Sequence, residues 1–206
     1  MGLLTFALNV TLDGCCDHRE MVADDALLRY YTRLMDEVGG MLWGRTTYEM
    51  MESAWPAVAR DPKARPAFRA WARKLEAKPK HVVSATRRDF PWSNTFRVDG
   101  NLHEAIAALK RRTPRGLLVG SPTLSAALEQ MGLIDEYRLA VHPVLAGHGP
   151  TLFSGLSPSS RMRLLDARRF KSGVMALRYR RKVDNASRRP DADVAEHDQR
   201  LRPKVR

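Results

Sequence analysis

Hydrophobic residues occur along the chain in two patterns, short apolar runs and longer segments with one apolar face. Residues 3–9 form a short run, whereas Leu102, Ile106 and Leu109 recur at helical spacing. The short runs predict strands, and the periodic segments predict helices. The predicted strands are residues 3–9, 40–43, 80–84, 95–98, 116–119, 136–141, 161–170 and 174–181. The predicted helices are residues 25–38, 47–51, 66–75, 102–112 and 122–131.

The order of these elements predicts the fold class. Strands that alternate with helices are typical of a parallel α/β sheet. The last two strands follow each other through Lys171-Ser172-Gly173, a short turn that favours an antiparallel hairpin. We therefore expect an α/β protein with a mixed, mainly parallel sheet flanked by helices and a C-terminal antiparallel hairpin. Residues 1–183 form this domain, and residues 184–206, with few large apolar side chains and dense charge, predict a disordered tail.

Positive charge is concentrated in the body of the chain. The 206 residues carry a formal net charge of +12. Residues 58–116 include fifteen basic and five acidic residues, and residues 161–182 include nine basic residues and one acidic residue. Such a surface could serve a nucleic acid, a polyanionic cofactor, or solubility alone.

Several protein classes are disfavoured by the sequence. No apolar run approaches the roughly 18 residues of a membrane span. The first ten residues lack the basic region of a signal peptide and favour a strand. Cys15 and Cys16 are adjacent, which suits neither a long-range disulfide nor a metal site, and the histidines show no metal-ligand spacing. We expect a cytoplasmic protein without a bound metal.

The segment Gly44-Arg45-Thr46-Thr47 separates a predicted strand from a predicted helix. A helix that starts at Thr46 or Thr47, with threonine as its N-cap, would present backbone N–H groups to an anion. Gly44 would let a ligand approach the backbone, and the guanidinium of Arg45 suits a phosphate. The alternative is an ordinary strand–turn–helix with a solvated arginine.

Two other junctions share these features. Ser84, Thr86 and Arg87 follow one strand, and the segment from Gly120 to Leu124 joins another strand to a helix with Pro122 near its first turn. In open α/β sheets, ligands bind at the carboxyl ends of the strands. Together the three junctions predict a phosphate-binding cradle.

The order of these segments resembles the dihydrofolate reductase-like superfamily, and most closely the reductase domain of the riboflavin-biosynthesis deaminase-reductases. The resemblance covers about residues 3–182. The motifs that carry it are NVTLDG (residues 9–14), WGRTTYE (43–49), SATR (84–87), VGSPTL (119–124) and GLIDEYRLAVHPVLAGHGPTLF (132–153).

The resemblance implies an NADPH-dependent reductase and a set of cofactor-binding residues. The residues that match the phosphate-binding turns are Gly44, Arg45, Thr46, Thr47, Gly120, Ser121, Thr123 and Leu124. Those that match the position facing the adenosine 2′-phosphate are Ser84, Thr86 and Arg87. Asn9, Asp13 and Gly14 match the segment beside the nicotinamide, and residues 17–25 match a mobile loop that closes over the site.

The sequence also departs from the family pattern. Val119 stands where riboflavin reductases commonly carry a glutamate, and Pro122 removes one backbone donor from the third junction. No zinc deaminase signature is present in the chain. Asp13 is the best candidate for a catalytic carboxylate, although Asp-Gly is also an ordinary turn pair. We expect little activity on dihydrofolate and do not assume the pyrimidine intermediate of riboflavin synthesis.

Other conspicuous side chains have structural explanations. We expect His142 to be a strand-end or packing residue, and Asp135 and Glu136 to cap a helix or face solvent. Three tryptophans, Trp55, Trp71 and Trp92, could stack on adenine, but we expect them to pack in the core or at its rim.

Three functions fit the sequence. The first is a reductase that acts on a small-molecule substrate as a homodimer and prefers NADPH to NADH, because Arg45 and Arg87 would bracket a 2′-phosphate. The second is a nucleic-acid-binding or regulatory protein that retains the fold, supported by the basic segments but lacking an aromatic-interleaved binding motif. The third is a cofactor-binding protein with little turnover.

Overall fold

The computed structural model describes residues 1–22, 24–155 and 159–182. The described strands are β1 (Leu4–Thr11), β2 (Gly40–Gly44), β3 (Lys80–Val83), β4 (Thr95–Val98), β5 (Leu117–Val119), β6 (Glu136–His142), β7 (Met162–Arg169) and β8 (Met175–Arg181). The described helices are α1 (Asp25–Glu37), α2 (Arg45–Arg60), α3 (Pro66–Ala77), α4 (Leu102–Arg112) and α5 (Pro122–Gln130), with a single 3₁₀ turn at His18–Glu20.

All eight strands belong to one sheet with the order β4-β3-β2-β5-β1-β6-β8-β7. Neighbouring strands from β4 to β6 are parallel, whereas β8 is antiparallel to both β6 and β7. The predicted fold class, including the antiparallel C-terminal hairpin, is confirmed. The order also places the carboxyl ends of β3, β2, β5 and β1 next to one another.

Helices cover both faces of the sheet. On one face, α1, α2 and α3 pack side chains such as Leu34, Tyr48 and Leu75 against Trp43. On the other face, α4 and α5 pack against the alternate side chains of the same strands, beginning with Leu42. This alternation follows from the two-residue period of a strand. Both faces of the central strands are therefore buried.

Helix α2 differs from its prediction in both length and cap. It spans Arg45–Arg60 and includes Pro56, whereas the sequence predicts a helix over residues 47–51. Packing of Trp55 on Phe68 and Trp71 of α3 offsets the local cost of the proline. The prediction that threonine caps this helix is wrong, because the N-cap is Gly44 and no side chain bonds to the first turn.

Charged side chains cluster at the amino end of the parallel strands. Lys80 is fully buried, and its Nζ donates to the carbonyl oxygens of Leu75, Glu76 and Lys78 at the end of α3. Lys110 is also buried, and its Nζ lies 2.6 Å from Asp135. Each of these cations therefore has anionic or carbonyl partners.

Glu136 at the start of β6 is 1% exposed, so the expectation that it caps a helix or faces solvent is wrong. Its carboxylate accepts hydrogen bonds from Arg138, Arg178 and Arg180. Burial opposes ionisation of Glu136, but the bonds and charges of Arg178 and Arg138 outweigh it and lower the pKa. Its neighbour Asp135 accepts the Leu4 N–H at 2.7 Å, which ties the start of β1 to the start of β6.

The two outermost strands differ in character. Strand β7 exposes Arg163, Arg168 and Arg169 along one side of the sheet. Strand β4 forms the opposite side and exposes Phe96. The predicted tail at residues 184–206 lies outside the described residues, as does Ala23 in the predicted mobile loop. Within the part of the chain that the structure describes, no helix is long and apolar enough to cross a membrane.

Candidate functional site

The three predicted junctions lie at one edge of the sheet. Parallel pairing places β2 between β3 and β5, so Gly44, Ser84 and Gly120 follow three adjacent strands at their carboxyl ends. The N–H of Gly44 donates to Ser121 Oγ over 2.9 Å, which joins the first junction to the third. The structure therefore brings together segments up to 80 residues apart in sequence.

Helices α2 and α5 both start at this edge. Their N-cap residues, Gly44 and Ser121, form no side-chain bond to the first turn. Arg65 at the start of α3 forms none either, whereas Asp24 caps α1 and Asn101 caps α4. Thr46 and Thr123 are exposed in those first turns. Backbone N–H groups at an uncapped helix start bind anions. This edge can therefore hold a phosphate group at each of two helix starts.

Glycine is favoured by close packing at only one of the two junctions. A Cβ on Gly120 would lie 3.3 Å from the carbonyl oxygen of Ala7, a tight contact, whereas one on Gly44 would lie 3.6 Å from Leu124 Cβ, an ordinary contact. Leu124 itself is buried in the core behind the turn. The uncapped helices at this edge fit the polyphosphate of a dinucleotide.

Arg45 and Arg87 converge on two glutamates that the sequence analysis missed. Arg45 pairs with Glu49 at 3.0 Å, and Arg87 lies 3.7 Å from Glu49 and 2.8 Å from Glu52. The Arg87 guanidinium also lies over the ring of Tyr48, and the backbone N–H of Arg87 donates to Ser84 Oγ. The arginines are thus on one surface, and Glu49 would compete with a phosphate for them.

A pocket of about 420 Å³ opens at this edge on the face covered by α1, α2 and α3. Asn9, Thr47 and Gly120 line it together with a larger apolar set. That set includes Met41, Trp43, Met50, Met51, Trp55 and Trp71. Trp55 and Trp71 were expected to pack, and they do so against each other while forming the pocket wall. Met50 and Met51, which are adjacent on α2, are indistinguishable in sequence from core residues.

Buried His142 connects this pocket to the loop that follows β1. The Val22 N–H donates to His142 Nδ1 over 3.0 Å, and His142 Nε2 lies 3.1 Å from Asn9 Oδ1. Since Nδ1 accepts a bond, the neutral ring must carry its proton on Nε2 and donate it to Asn9. Burial lowers the pKa of His142, in agreement with a neutral ring. His142 therefore acts as more than a packing residue, because it holds both Asn9 and the loop.

The Asp13 carboxylate is engaged by the turn after β1 and by the loop that follows β6. It accepts hydrogen bonds from the Thr11 hydroxyl and from the backbone N–H groups of Gly147 and Ala146. These bonds lower its pKa to about 2. Asp13 is consequently ionised at neutral pH and is poorly suited to donate a proton. Gly14, at a φ of +82°, closes the same turn, which only glycine adopts without strain.

Comparison with known proteins places this chain in a family. The model of the RibD C-terminal domain family matches residues 3–176, which is most of the chain. The uncharacterized protein YyaP of Bacillus subtilis (strain 168) is 27% identical over 176 residues, covering 84% of this chain and 91% of YyaP.

Solved structures show the same fold at low sequence identity. The protein named "Putative riboflavin biosynthesis protein" from Shewanella sp. PV-4 has a TM-score of 0.68 and 23% identity, with 89% of this chain and 100% of that chain covered. A pyrimidine reductase-like protein from Corynebacterium diphtheriae has a TM-score of 0.62 and 14% identity, with 89% of this chain and 93% of that chain covered. RibD from Acinetobacter baumannii has a TM-score of 0.61 and 16% identity, with 89% of this chain and 59% of that chain covered. This chain therefore matches a little more than half of that RibD. The chain belongs to the RibD C-terminal domain family.

Proposed function

We propose that this protein is an NADPH-dependent reductase that acts on a small substrate held in the pocket beside Asn9 and Thr47. The observation that carries the proposal is the pair of uncapped helix starts, α2 and α5, directly beside an apolar pocket. Family membership supports the same function, since the relatives include proteins named for riboflavin biosynthesis and pyrimidine reduction.

The chain's residues divide the work between two parts of the site. The first turns of α2 and α5 would bind the diphosphate, and Arg45 and Arg87 would bind the 2′-phosphate. When bound, NADPH supplies the hydride, and the product takes up one proton from solvent. The aromatic wall excludes water from the reacting groups, and Asn9 orients the ligand through its amide.

A titration with NADPH tests this proposal. Trp43, Trp55 and Trp71 line the pocket, so energy transfer from tryptophan to the reduced nicotinamide reports occupancy. We expect saturable binding at sub-millimolar NADPH. Arg163→Ala, on the exposed strand β7, is a control that changes the protein's charge away from the site. Absence of saturable binding would overturn the proposal.

The basic segments, residues 58–116 and 161–182, support nucleic-acid binding as a second candidate function. Strong DNA binding that weakens steeply with salt, without NADPH binding, would favour it over the reductase. We also propose that the protein is a homodimer. Light scattering at tens of micromolar protein would give twice the mass of the chain, and a monomeric mass would contradict that expectation.

A further inference from the structure

The described residues on the wall of the pocket carry no fixed charge. None of the lining residues that the structure describes is Asp, Glu, Lys or Arg. The one lining histidine is His18, whose side chain is 72% exposed and lies 3.8 Å from Asp17. By contrast, the ion-paired residues at the same edge are not among those that line the pocket; they are Arg45, Arg87, Glu49 and Glu52. Charge and apolar surface are therefore separated within one site.

This separation restricts what the pocket can bind. A carboxylate or phosphate placed against tryptophan and methionine would lose its hydration without gaining a cationic partner. A protonated heterocycle would likewise find no carboxylate on the wall. An uncharged flat molecule gains from burial on the aromatic side chains without either cost.

The polar groups on the wall that lack partners among the described residues are hydrogen-bond donors, and one of them, the Tyr31 hydroxyl, can also accept a bond. His142 occupies Asn9 Oδ1, so the free group of that amide is its Nδ2 amino group. The indole N–H of Trp71 is buried without a hydrogen-bond partner among the described residues. A buried donor that forms no hydrogen bond lowers the stability of the folded protein. They match a ligand that carries an acceptor, such as a carbonyl oxygen.

We infer that the pocket takes an uncharged, flat, largely apolar molecule with a hydrogen-bond acceptor and rejects its carboxylated or phosphorylated equivalents. This inference rests on the proposed function only in naming the pocket occupant as the hydride acceptor. It separates this chain from a reductase of a ribose-phosphate substrate, whose dianion needs a cationic wall.

Three ring-matched probes test the inference by calorimetry without cofactor. They are methyl 2-naphthoate, 2-naphthoate and naphthalene, which carry a neutral acceptor, an anion and no acceptor. We expect the ester to bind about tenfold or more tightly than the carboxylate, and more tightly than naphthalene. Equal or tighter binding of the carboxylate would overturn the inference.

A charge placed on the wall provides the matched test. Met50 lies on α2 in the pocket and is 42% exposed, so Met50→Lys is tolerated on the helix surface. It should shift the ester-to-carboxylate preference about tenfold toward the carboxylate. Met131→Lys makes the same change at a residue that is 41% exposed outside the pocket, and it should leave the preference unchanged. An unaltered preference in Met50→Lys would place the probes elsewhere and overturn the inference.

NADPH titration of the same samples separates this inference from the proposed function. If the ester binds but NADPH does not, the proposed reductase function fails while the pocket's preference stands. If NADPH binds but 2-naphthoate binds the pocket as tightly as its methyl ester, the proposed function stands and the inference fails.

Discussion

The two ends of the parallel strands treat polar groups in opposite ways. At the amino end, Lys80, Lys110 and Glu136 are buried, and each is surrounded by partners from the chain itself. At the carboxyl end, the first turns of α2 and α5 have no side-chain cap. These three charged groups bond to the chain itself, whereas the first turns of α2 and α5 have backbone donors that a ligand can use.

This difference shows where stability and binding are separated in the fold. A charge that is fully paired inside the protein cannot respond to a ligand without a large loss of stability. An open helix start costs less because water can satisfy it until a ligand arrives. Substitutions at the amino end should therefore change unfolding, and those at the carboxyl end should change binding.

The largest effect is expected for Glu136→Ala. The change removes the carboxylate that Arg138, Arg178 and Arg180 share. It should lower the free energy of unfolding by about 3 kcal/mol, the upper end of the range for hydrogen bonds to a charged group, because several bonds are lost together. Urea unfolding measures this loss. Asp166→Ala, at an exposed residue of β7, is the control and should cost far less. A similar small loss in both variants would break the contrast between the two ends.

At the carboxyl end, Arg45→Ala should weaken NADPH binding by about 1.5–3 kcal/mol through the lost charge-assisted contact. NADH lacks the 2′-phosphate, so its binding should change little. Tryptophan energy transfer measures both affinities, with Arg163→Ala as the control. Equal affinity of the unmutated protein for the two cofactors would contradict the assignment of Arg45 and Arg87.

Glu49→Gln should have a smaller effect in the opposite direction. Glu49 pairs with Arg45 and lies 3.7 Å from Arg87. Removing its charge frees Arg45, while Arg87 keeps its pair with Glu52, and should strengthen NADPH binding by about 0.2–1 kcal/mol, the range of exposed ion pairs. Glu104→Gln, at an exposed position on α4, supplies the control. Weaker binding in Glu49→Gln would show that the glutamate positions the arginines rather than competing with the phosphate.

His142 predicts a pH dependence of stability. Its pKa is lowered in the folded protein from 6.5, so the unfolded chain binds more protons as the pH falls through 6.5. The stabilisation is complete above pH 6.5 and declines below it. His142→Gln should remove part of this decline in urea unfolding measured from pH 7.5 to 5, whereas His103→Gln, at an exposed position, should retain it. Identical profiles for all three proteins would exclude the neutral ring.

The smallest effect on catalysis is expected for Asp13→Asn. Because the carboxylate joins the turn after β1 to the loop after β6, the variant should retain most of the NADPH oxidation rate while melting at a lower temperature. Loss of turnover with an unchanged melting temperature would instead restore the catalytic role considered from the sequence.

The sequence predicts the parts of this molecule that depend on local pattern. Strand–helix alternation and the turn after Trp43 are sufficient for the fold and for the edge at which ligands bind. The length of α2 is not local, because its last two turns depend on Trp55 packing against α3. The burial of Glu136 is not local either, because Arg178 and Arg180 lie more than 40 residues away. The role of His142 depends on Asn9 and Val22, 133 and 120 residues away.

The outer strand β7 limits how the sheet can grow. Its arginines, Arg163, Arg168 and Arg169, stand along an edge whose backbone groups could otherwise pair with another chain. A second copy aligned on β7 would bring like charges into register, which disfavours that pairing. The protein is thereby protected from edge-to-edge aggregation on this side. We therefore expect two copies that associate to meet through another part of the surface.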